Sequence, residues 1–190
     1  MARTVLVIHG AGEPRRRGGK VYWQPLLEQG LGDEYVVRAP VMPSPDEPHY
    51  EPWAARVAEL IGAATEPVMM GHSFGASVLL KYLSEESAPP ALAGVFLVAT
   101  PFWGPKFPEF QLRSDFATKL GAVAPLYFYQ SRDDEEVPVE HLERYRKALP
   151  NAVVRLLDGR GHEFDQPVFP ELVTDIRSLR APLQGKTGKA

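Results

Sequence analysis

One serine in the sequence stands where a nucleophile could be activated. Residues 71–75 read Gly-His-Ser-Phe-Gly, which fits the pattern G-x-S-x-G, and they join an apolar run at Val68–Met70 to a segment with helical spacing. In that context a sharp turn between a strand and a helix exposes the serine hydroxyl above the edge of a sheet. The helix that follows directs its first N–H groups and its positive end at the same place. The pattern therefore predicts that Ser73 attacks an acyl carbonyl.

A serine hydroxyl needs a base to take its proton, and the base needs an acid to orient it. In this type of turn the acid and then the histidine follow the serine along the chain. Only two histidines follow Ser73. His141 falls inside a predicted helix, a poor place for a mobile imidazole, whereas His162 follows the last predicted strand in a loop that contains glycines. By elimination and by position, we predict that His162 is the base.

Four acidic residues stand in a row at positions 133–136, directly after the predicted strand Leu126–Gln130. Asp133 and Asp134 lie nearest to the end of that strand, which is where an orienting acid is needed. Composition and spacing do not choose between these two carboxylates, so both are candidates at this point.

Six short apolar runs, rich in β-branched or aromatic residues, are predicted to be strands. They are Thr4–Ile8, Tyr35–Arg38, Val68–Met70, Gly94–Ala99, Leu126–Gln130 and Val153–Leu157. Most are apolar throughout, which is typical of strands buried on both faces of a parallel sheet. Segments with helical spacing lie between them, at Trp23–Gly30, Pro52–Ala64, Ser73–Glu86, Val139–Leu149 and Pro167–Leu179. This alternation predicts an α/β fold, a three-layer sandwich around a six-stranded, mostly parallel sheet.

The length and composition limit the other classes of function. The 190 residues suffice for one domain, expected over residues 1–181, with a flexible tail at 182–190. A formal net charge of −3 provides no strong field for nucleic acid or an anionic membrane. The absence of cysteine excludes thiolate nucleophiles and zinc–thiolate sites. No apolar stretch is long enough for a signal peptide or a membrane span, so we expect a cytoplasmic protein.

A stretch that we call the aromatic loop, residues 101–116, is too interrupted by proline and glycine for a long helix. It carries Phe102, Trp103, Phe107 and Phe110 after the fourth predicted strand. Long loops at a sheet edge are often functional. We predict that Phe102, Trp103 and Phe107 form a substrate pocket, while a small satellite core or an exposed docking surface are the alternatives.

Taken together, these motifs resemble the α/β-hydrolase superfamily, and within it the small single-domain serine hydrolases of the retinoblastoma-binding-protein type. The resemblance covers roughly residues 4–180. It rests on Val-Ile-His-Gly at 7–10, the motif at 71–75, Asp-Asp-Glu-Glu-Val-Pro at 133–138 and Gly-His at 161–162. It implies the strand order 2-1-3-4-5-6 and a compact form without the two leading antiparallel strands of larger members. In the superfamily the acid commonly precedes a Val-Pro pair with two residues between, which favours Asp134 over Asp133.

The resemblance also implies an oxyanion hole made of two backbone N–H groups. One donor would be Phe74, the residue after the nucleophile, and the second would be Ala11, with Gly10 or Gly12 close by. Such amides stabilise the charge on a tetrahedral intermediate, and the loss of one donor typically costs ~10²–10³ in rate.

Several other features of the sequence lend themselves to less specific interpretations. Gly10-Ala11-Gly12 lacks the third glycine of a dinucleotide loop, and no His-Glu-x-x-His spacing occurs, so we expect neither a cofactor nor a metal. His72 is expected to pack under the turn or to form a local hydrogen bond. The basic cluster of Arg15–Arg17 with Lys20 is expected to be a solvated loop, and an anion contact for the substrate is the alternative.

The sequence therefore predicts a serine hydrolase that cleaves an ester or related acyl bond of a small molecule. Thioester or amide cleavage, acyl transfer and perhydrolysis use the same groups and stay open. A non-catalytic interaction module on the same fold, which would dock through the aromatic loop, is the alternative from another class. We expect no nucleic-acid or membrane partner, and no feature indicates a protein partner.

Overall fold

A computed structural model describes residues 2–88, 90–123, 125–164, 166 and 169–179. Its strands are β1 (Arg3–Ile8), β2 (Arg16–Arg17), β3 (Lys20–Val21), β4 (Tyr35–Arg38), β5 (Val68–His72), β6 (Gly94–Val98), β7 (Leu126–Ser131) and β8 (Val153–Leu157). Its helices are α1 (Trp23–Leu31), α2 (Tyr50–Gly62), α3 (Phe74–Glu85), α4 (Phe116–Leu120), α5 (Val139–Ala148) and α6 (Pro170–Ser178). The predicted tail at 182–190 and the domain boundary at 181 lie outside the described residues.

The main sheet has six parallel strands in the order β4-β1-β5-β6-β7-β8. Counted among the six predicted strands, this is the order 2-1-3-4-5-6, so the predicted fold class and topology are confirmed. Because all the strands run in one direction, the turns that follow β5, β7 and β8 meet at one edge of the sheet. The topology therefore brings together the segments that carry the predicted nucleophile, acid and base.

Helices cover both faces of this sheet, which explains why the central strands are apolar throughout. One face packs against α2, α3 and α5, and it receives Leu6, Ile8 and Met69 from the strands. The other face packs against α1 and α6, and it receives Val5, Val7 and Met70. Successive side chains of a strand point to opposite faces, so a strand between two helical layers is apolar at every position.

Some elements differ from the sequence prediction. A two-stranded hairpin, β2–β3, follows β1, and the helix α4 ends the aromatic loop. Both are too short to produce a periodic apolar pattern. The hairpin turn places Gly18 and Gly19 at φ 59° and 78°, a conformation that glycine adopts readily. Helix α2 begins two residues before Pro52, which lies in its first turn, where a proline is tolerated, and α6 begins at Pro170 instead of Pro167.

None of the helices in the described segments is both long and apolar enough to cross a membrane.

Candidate active site

The turn between β5 and α3 holds Ser73 in a strained backbone conformation. Ser73 has φ 50° and ψ −121°. Residues other than glycine rarely adopt this conformation, which costs about 1–3 kcal/mol. The backbone packs closely on both sides of this residue. A Cβ on Gly71 would lie 2.5 Å from the Ala76 Cα, and a Cβ on Gly75 would lie 2.2 Å from the His9 carbonyl oxygen. The turn therefore depends on glycine at both positions, as the motif predicts.

The imidazole of His162 lies between the Ser73 hydroxyl and the Asp134 carboxylate. Its Nε2 is 3.0 Å from Ser73 Oγ, and its Nδ1 is 3.0 and 3.1 Å from the two Asp134 oxygens. An ionised carboxylate only accepts hydrogen bonds, so Nδ1 carries the proton and Nε2 is free to accept one from the serine. The structure thus brings together the three residues that the sequence predicts to act as a unit, with the base in the tautomer the chemistry requires.

The surroundings of Asp134 keep its carboxylate ionised. Burial on its own would raise the pKa of Asp134, but hydrogen bonds from His162 and from the backbone N–H groups of Val137 and Glu136 outweigh it, so the pKa lies below its usual value. The buried Gln130 amide donates a further hydrogen bond to Asp134 Oδ2 at 2.7 Å.

The pKa of His162 is raised, although burial on its own would lower it. The hydrogen bond and charge of Asp134, together with the charge of Glu136, raise the pKa of His162 above its ordinary value. The imidazole is therefore a stronger base than a free histidine, and its protonated form is stabilised where the reaction needs it.

Asp133, the alternative acid, has another role. Its Oδ1 accepts hydrogen bonds from the Ser131 hydroxyl and from the backbone N–H of Gly161, the latter at 3.3 Å. Ser131 Oγ also accepts from the Arg160 N–H at 3.0 Å. Asp133 therefore braces the backbone of the loop that carries His162, whereas Asp134 contacts the imidazole itself.

The two predicted oxyanion donors flank the nucleophile. The N–H of Phe74 belongs to the first turn of α3, which has no helical carbonyl to bind, and Ala11 lines the cavity next to Ser73. The N–H of Gly12 already donates a hydrogen bond to the Pro45 carbonyl oxygen, at 2.7 Å. Among the candidates for the second donor, Ala11 and Gly10 are thus left, and their role stays a prediction.

His9 fixes the backbone of that loop. Its Nδ1 lies 2.6 Å from the Gly10 carbonyl oxygen, and its Nε2 accepts the Met42 N–H at 2.9 Å. Burial lowers the pKa of His9, in agreement with a neutral ring that donates on one side and accepts on the other.

A cavity of about 150 Å³ opens beside Ser73. The loop after β1, the hairpin β2–β3 and the start of α1 form its walls, with Tyr22 and Trp23 among the lining side chains. Charged groups at this cavity are Glu13, Arg15, Glu136 and Glu163.

Within the described residues, one set of side chains has metal-ligand spacing. Atoms of Glu136, His162 and Glu163 lie within 4.8 Å of one another. Both nitrogens of His162 already bind Ser73 and Asp134, so an ion held there would compete with the serine for Nε2. The donor set therefore suits an ion-free base better than a metal ligand.

The sequence pattern of the Serine hydrolase family matches residues 5–165, which include Ser73, Asp134 and His162. The chain belongs to this family. No curated protein sequence matches it significantly.

Solved structures agree with this hydrolase assignment at the level of the fold. The ydeN gene product of B. subtilis is 20% identical, with a TM-score of 0.74 over 94% of this chain and 98% of that one. Est1E from Butyrivibrio proteoclasticus, solved with ferulic acid bound, is 17% identical, with a TM-score of 0.68 over 92% and 86%. The thioesterase domain from the curacin biosynthetic pathway is 14% identical, with a TM-score of 0.73 over 93% and 92%. These similarities show that the chain has the α/β-hydrolase fold.

The aromatic loop of this hydrolase packs behind the nucleophile. Trp103 and Phe110 contact the Phe74 ring, with centroid distances of 6.4 and 4.9 Å, and Phe102 packs on Tyr145. Phe107 is 50% exposed. Phe102, Trp103 and Phe107 are not among the residues that line the cavity beside Ser73, so their role as a substrate pocket stays a prediction.

Sequence reasoning missed two residues of the site. Gln130, the penultimate residue of β7, supports Asp134, and its only signal is a polar residue inside an apolar strand. For His72 the sequence predicts packing under the turn or a local hydrogen bond. The residue is buried next to Ser73, but its hydrogen bond is not local, since Nε2 lies 3.0 Å from the carbonyl oxygen of His162, 90 residues away. Neither contact is encoded in the spacing along the chain, because each depends on how β5, β7 and the His162 loop pack together.

Proposed function

We propose that this hydrolase cleaves an ester or related acyl bond of a small substrate through an acyl-enzyme on Ser73. The observation that carries the proposal is the position of the His162 ring, with one nitrogen at the Asp134 carboxylate and the other at the Ser73 hydroxyl. In such an arrangement the base and the nucleophile are already at hydrogen-bond distance before a substrate arrives.

Each chemical step has a group of this chain assigned to it. Ser73 Oγ attacks the acyl carbonyl and passes its proton to His162 Nε2, and the oxyanion accepts hydrogen bonds from the N–H groups of Phe74 and Ala11. The tetrahedral intermediate collapses, and Nε2 gives the proton to the departing alcohol. A water molecule then attacks the acyl-enzyme and gives a proton to Nε2. The second intermediate releases the carboxylic acid, and Ser73 regains its proton.

Asp134 stays ionised throughout this sequence and stabilises the imidazolium of His162. Its depressed pKa, to which hydrogen bonds from His162, Val137 and Glu136 contribute, supports that role. The proposed mechanism uses no cofactor. The cavity of about 150 Å³ beside Ser73 supports a small molecule as the substrate. A cytoplasmic location remains part of the proposal.

An ester is the first substrate class to test, and a thioester is the second. Est1E was solved with ferulic acid, a carboxylic acid, and the curacin structure is a thioesterase domain, which supports testing these two classes first. Amide cleavage, acyl transfer and perhydrolysis require the same nucleophile, base and acid. A panel of esters of graded acyl length, with matched thioesters and amides, separates these classes.

The non-catalytic alternative relies on the aromatic loop as a docking surface. The exposed Phe107 favours it, but Trp103 and Phe110 pack against Phe74, next to the nucleophile. Within the described residues of the loop, Phe107 is the one exposed aromatic side chain, and the others pack against the core, which argues against docking.

The proposal is tested by covalent labelling with a fluorophosphonate probe, measured by intact mass on the parent chain and on Ser73→Ala. We expect one adduct on the parent and none on the variant. Absence of an adduct on the folded parent would contradict an activated Ser73. An equal adduct on Ser73→Ala would show that another residue reacts.

A further inference from the structure

His72 adjoins Ser73 in the chain and lies beside two further segments of the active site, the His162 loop and the loop after β1. It is the last residue of β5, directly before Ser73. Its Nε2 lies 3.0 Å from the carbonyl oxygen of His162, and its Nδ1 would lie 3.3 Å from a Cβ placed on Gly10, in the predicted oxyanion loop. The side chain that precedes the nucleophile thus also reaches the backbone of the base and the loop after β1.

The hydrogen bond to His162 determines the tautomer of His72. A carbonyl oxygen only accepts, so Nε2 must carry the proton. Burial is the main cause that lowers the pKa of His72, to about 4, and the ring is therefore neutral near pH 7. Nδ1 is consequently an unprotonated acceptor next to Gly10.

The ring of His72 is also held on both sides. Its centroid is 5.3 Å from the Trp23 ring and 5.2 Å from the His162 ring, and the residue is only 4% exposed. A buried donor in a fixed position can restrain the carbonyl group that it binds far better than a solvated one can.

The loop that carries His162 needs such a restraint. Gly159 and Gly161 have φ 68° and 58°, so the backbone on the N-terminal side of the base is built from flexible residues. The hydrogen bonds from Arg160 to Ser131 and from Gly161 to Asp133 precede His162 in the chain, and the Phe164 N–H donates to the Arg160 carbonyl across it. The bond from His72 acts on the peptide group of His162 itself.

We propose that His72 is a positioning residue of this hydrolase, whose Nε2–H holds the His162 backbone so that the imidazole stays aligned between Ser73 and Asp134. The inference rests on the proposed function, since alignment matters only if Ser73 is the nucleophile. His72 contacts no reacting atom in this role. It acts through His162, and the geometry of a catalytic base is sensitive, since a displacement of about 1 Å can cost ~10²-fold in rate.

The test compares His72→Leu, which removes the donor, with His72→Gln, whose amide N–H₂ reaches about the position of Nε2. We expect His72→Leu to lower kcat on the order of 10²-fold, with KM changed by less than about threefold. His72→Gln should recover kcat to within about tenfold of the parent. His49→Leu, the same substitution at an exposed histidine outside the site, is the control.

Two NMR measurements report on alignment without using activity. In the parent at pH 7, long-range ¹H–¹⁵N correlations should show His72 as the neutral Nε2–H tautomer. The downfield proton of His162 Nδ1–H, bound to Asp134, should be sharp in the parent and in His72→Gln and should broaden in His72→Leu. A charged ring or an Nδ1–H tautomer at His72 would overturn the proposal, and this measurement requires no variant to fold.

Kinetic results also overturn the proposal if the two variants behave alike. Equal losses in His72→Leu and His72→Gln would show that ring shape matters and not the hydrogen bond, and near-parental kcat in folded His72→Leu would show that the bond is dispensable. If the parent itself fails to react with the fluorophosphonate, the proposed function fails. The tautomer of His72 and the Nδ1–H signal of His162 then still decide whether the restraint exists.

Discussion

Gln130 and Asp134, four residues apart across the turn after β7, are joined by a hydrogen bond of 2.7 Å from Nε2 to Oδ2. The same amide nitrogen lies 2.8 Å from the Val137 carbonyl oxygen, so it ties both ends of the turn to the strand. Gln130 is 1% exposed, and water cannot replace the donor. A buried side chain of β7, the strand that precedes Asp134, therefore positions the acid of the proposed triad.

Replacement of that amide should cost stability as well as activity. Gln130→Leu removes one donor from the buried Asp134 carboxylate and the Gln130 donor from the Val137 carbonyl, and we expect a loss of about 1–3 kcal/mol in the free energy of unfolding. Urea denaturation measures it. Gln24→Leu, which removes an amide bound to Glu28 on the protein surface, should change stability by less than about 0.5 kcal/mol. Equal losses in the two variants would argue against a special role for Gln130.

Asparagine substitutions separate the two candidate acids. Asp134→Asn should lower kcat on the order of 10⁴-fold, because the amide no longer holds His162 in the Nδ1–H tautomer. Asp133→Asn keeps an acceptor for Ser131 and Gly161 and should cost less than about tenfold. Steady-state kinetics on one activated ester gives both values. A larger loss in Asp133→Asn than in Asp134→Asn would reverse the assignment.

The pH dependence of kcat/KM should report the raised pKa of His162. Nε2 must be unprotonated to accept the serine proton, so activity should fall as the pH falls through that pKa. The charge of Glu136 is one of the causes that raise it, and Nε2 lies 3.5 Å from Glu136 Oε2. Glu136→Gln should therefore move the acidic limb of the profile to lower pH.

Glu135→Gln is the matched control for this shift, because Glu135 is the preceding exposed carboxylate of the same acidic run. Glu135→Gln should leave the acidic limb of the pH profile closer to its position in the parent. Added salt should reduce the difference between the parent and Glu136→Gln, since the Glu136 side chain is largely exposed. An unchanged limb in Glu136→Gln would mean that this carboxylate does not influence His162.

The close approach of α3 to β1 makes Gly75 intolerant of any side chain. Gly75→Ala would place Cβ 2.2 and 2.5 Å from the carbonyl oxygens of His9 and Ile8, and backbone atoms have little room to move. We expect a loss of about 3 kcal/mol or more, measured by thermal or urea unfolding. Gly62→Ala, at the end of α2 with no atom within 4 Å, should be neutral or stabilising by up to about 1 kcal/mol. A fully stable Gly75→Ala would contradict the contact.

Local sequence was sufficient for the features that depend on short-range sterics and periodicity. The glycines around Ser73 are needed because the strand, the turn and the helix are consecutive in the chain and must pack closely. Runs that are apolar at every position identify strands covered on both faces, and parallel strands with right-handed crossovers leave few arrangements. The residues at the carboxyl edge follow from these patterns and His162 follows by elimination, whereas the strand order was implied by the resemblance to the α/β-hydrolases.

Tertiary structure decided the features that depend on where side chains point after a strand ends. Asp133 and Asp134 are adjacent, so only the course of the turn after Ser131 directs one to the loop backbone and the other to the imidazole. The contact of His72 with His162 joins segments 90 residues apart, at the end of β5 and after β8, two strands that lie three positions apart in the sheet. The spacing of residues along the chain does not give such distances, because they result from the packing of elements that are not consecutive in the sequence.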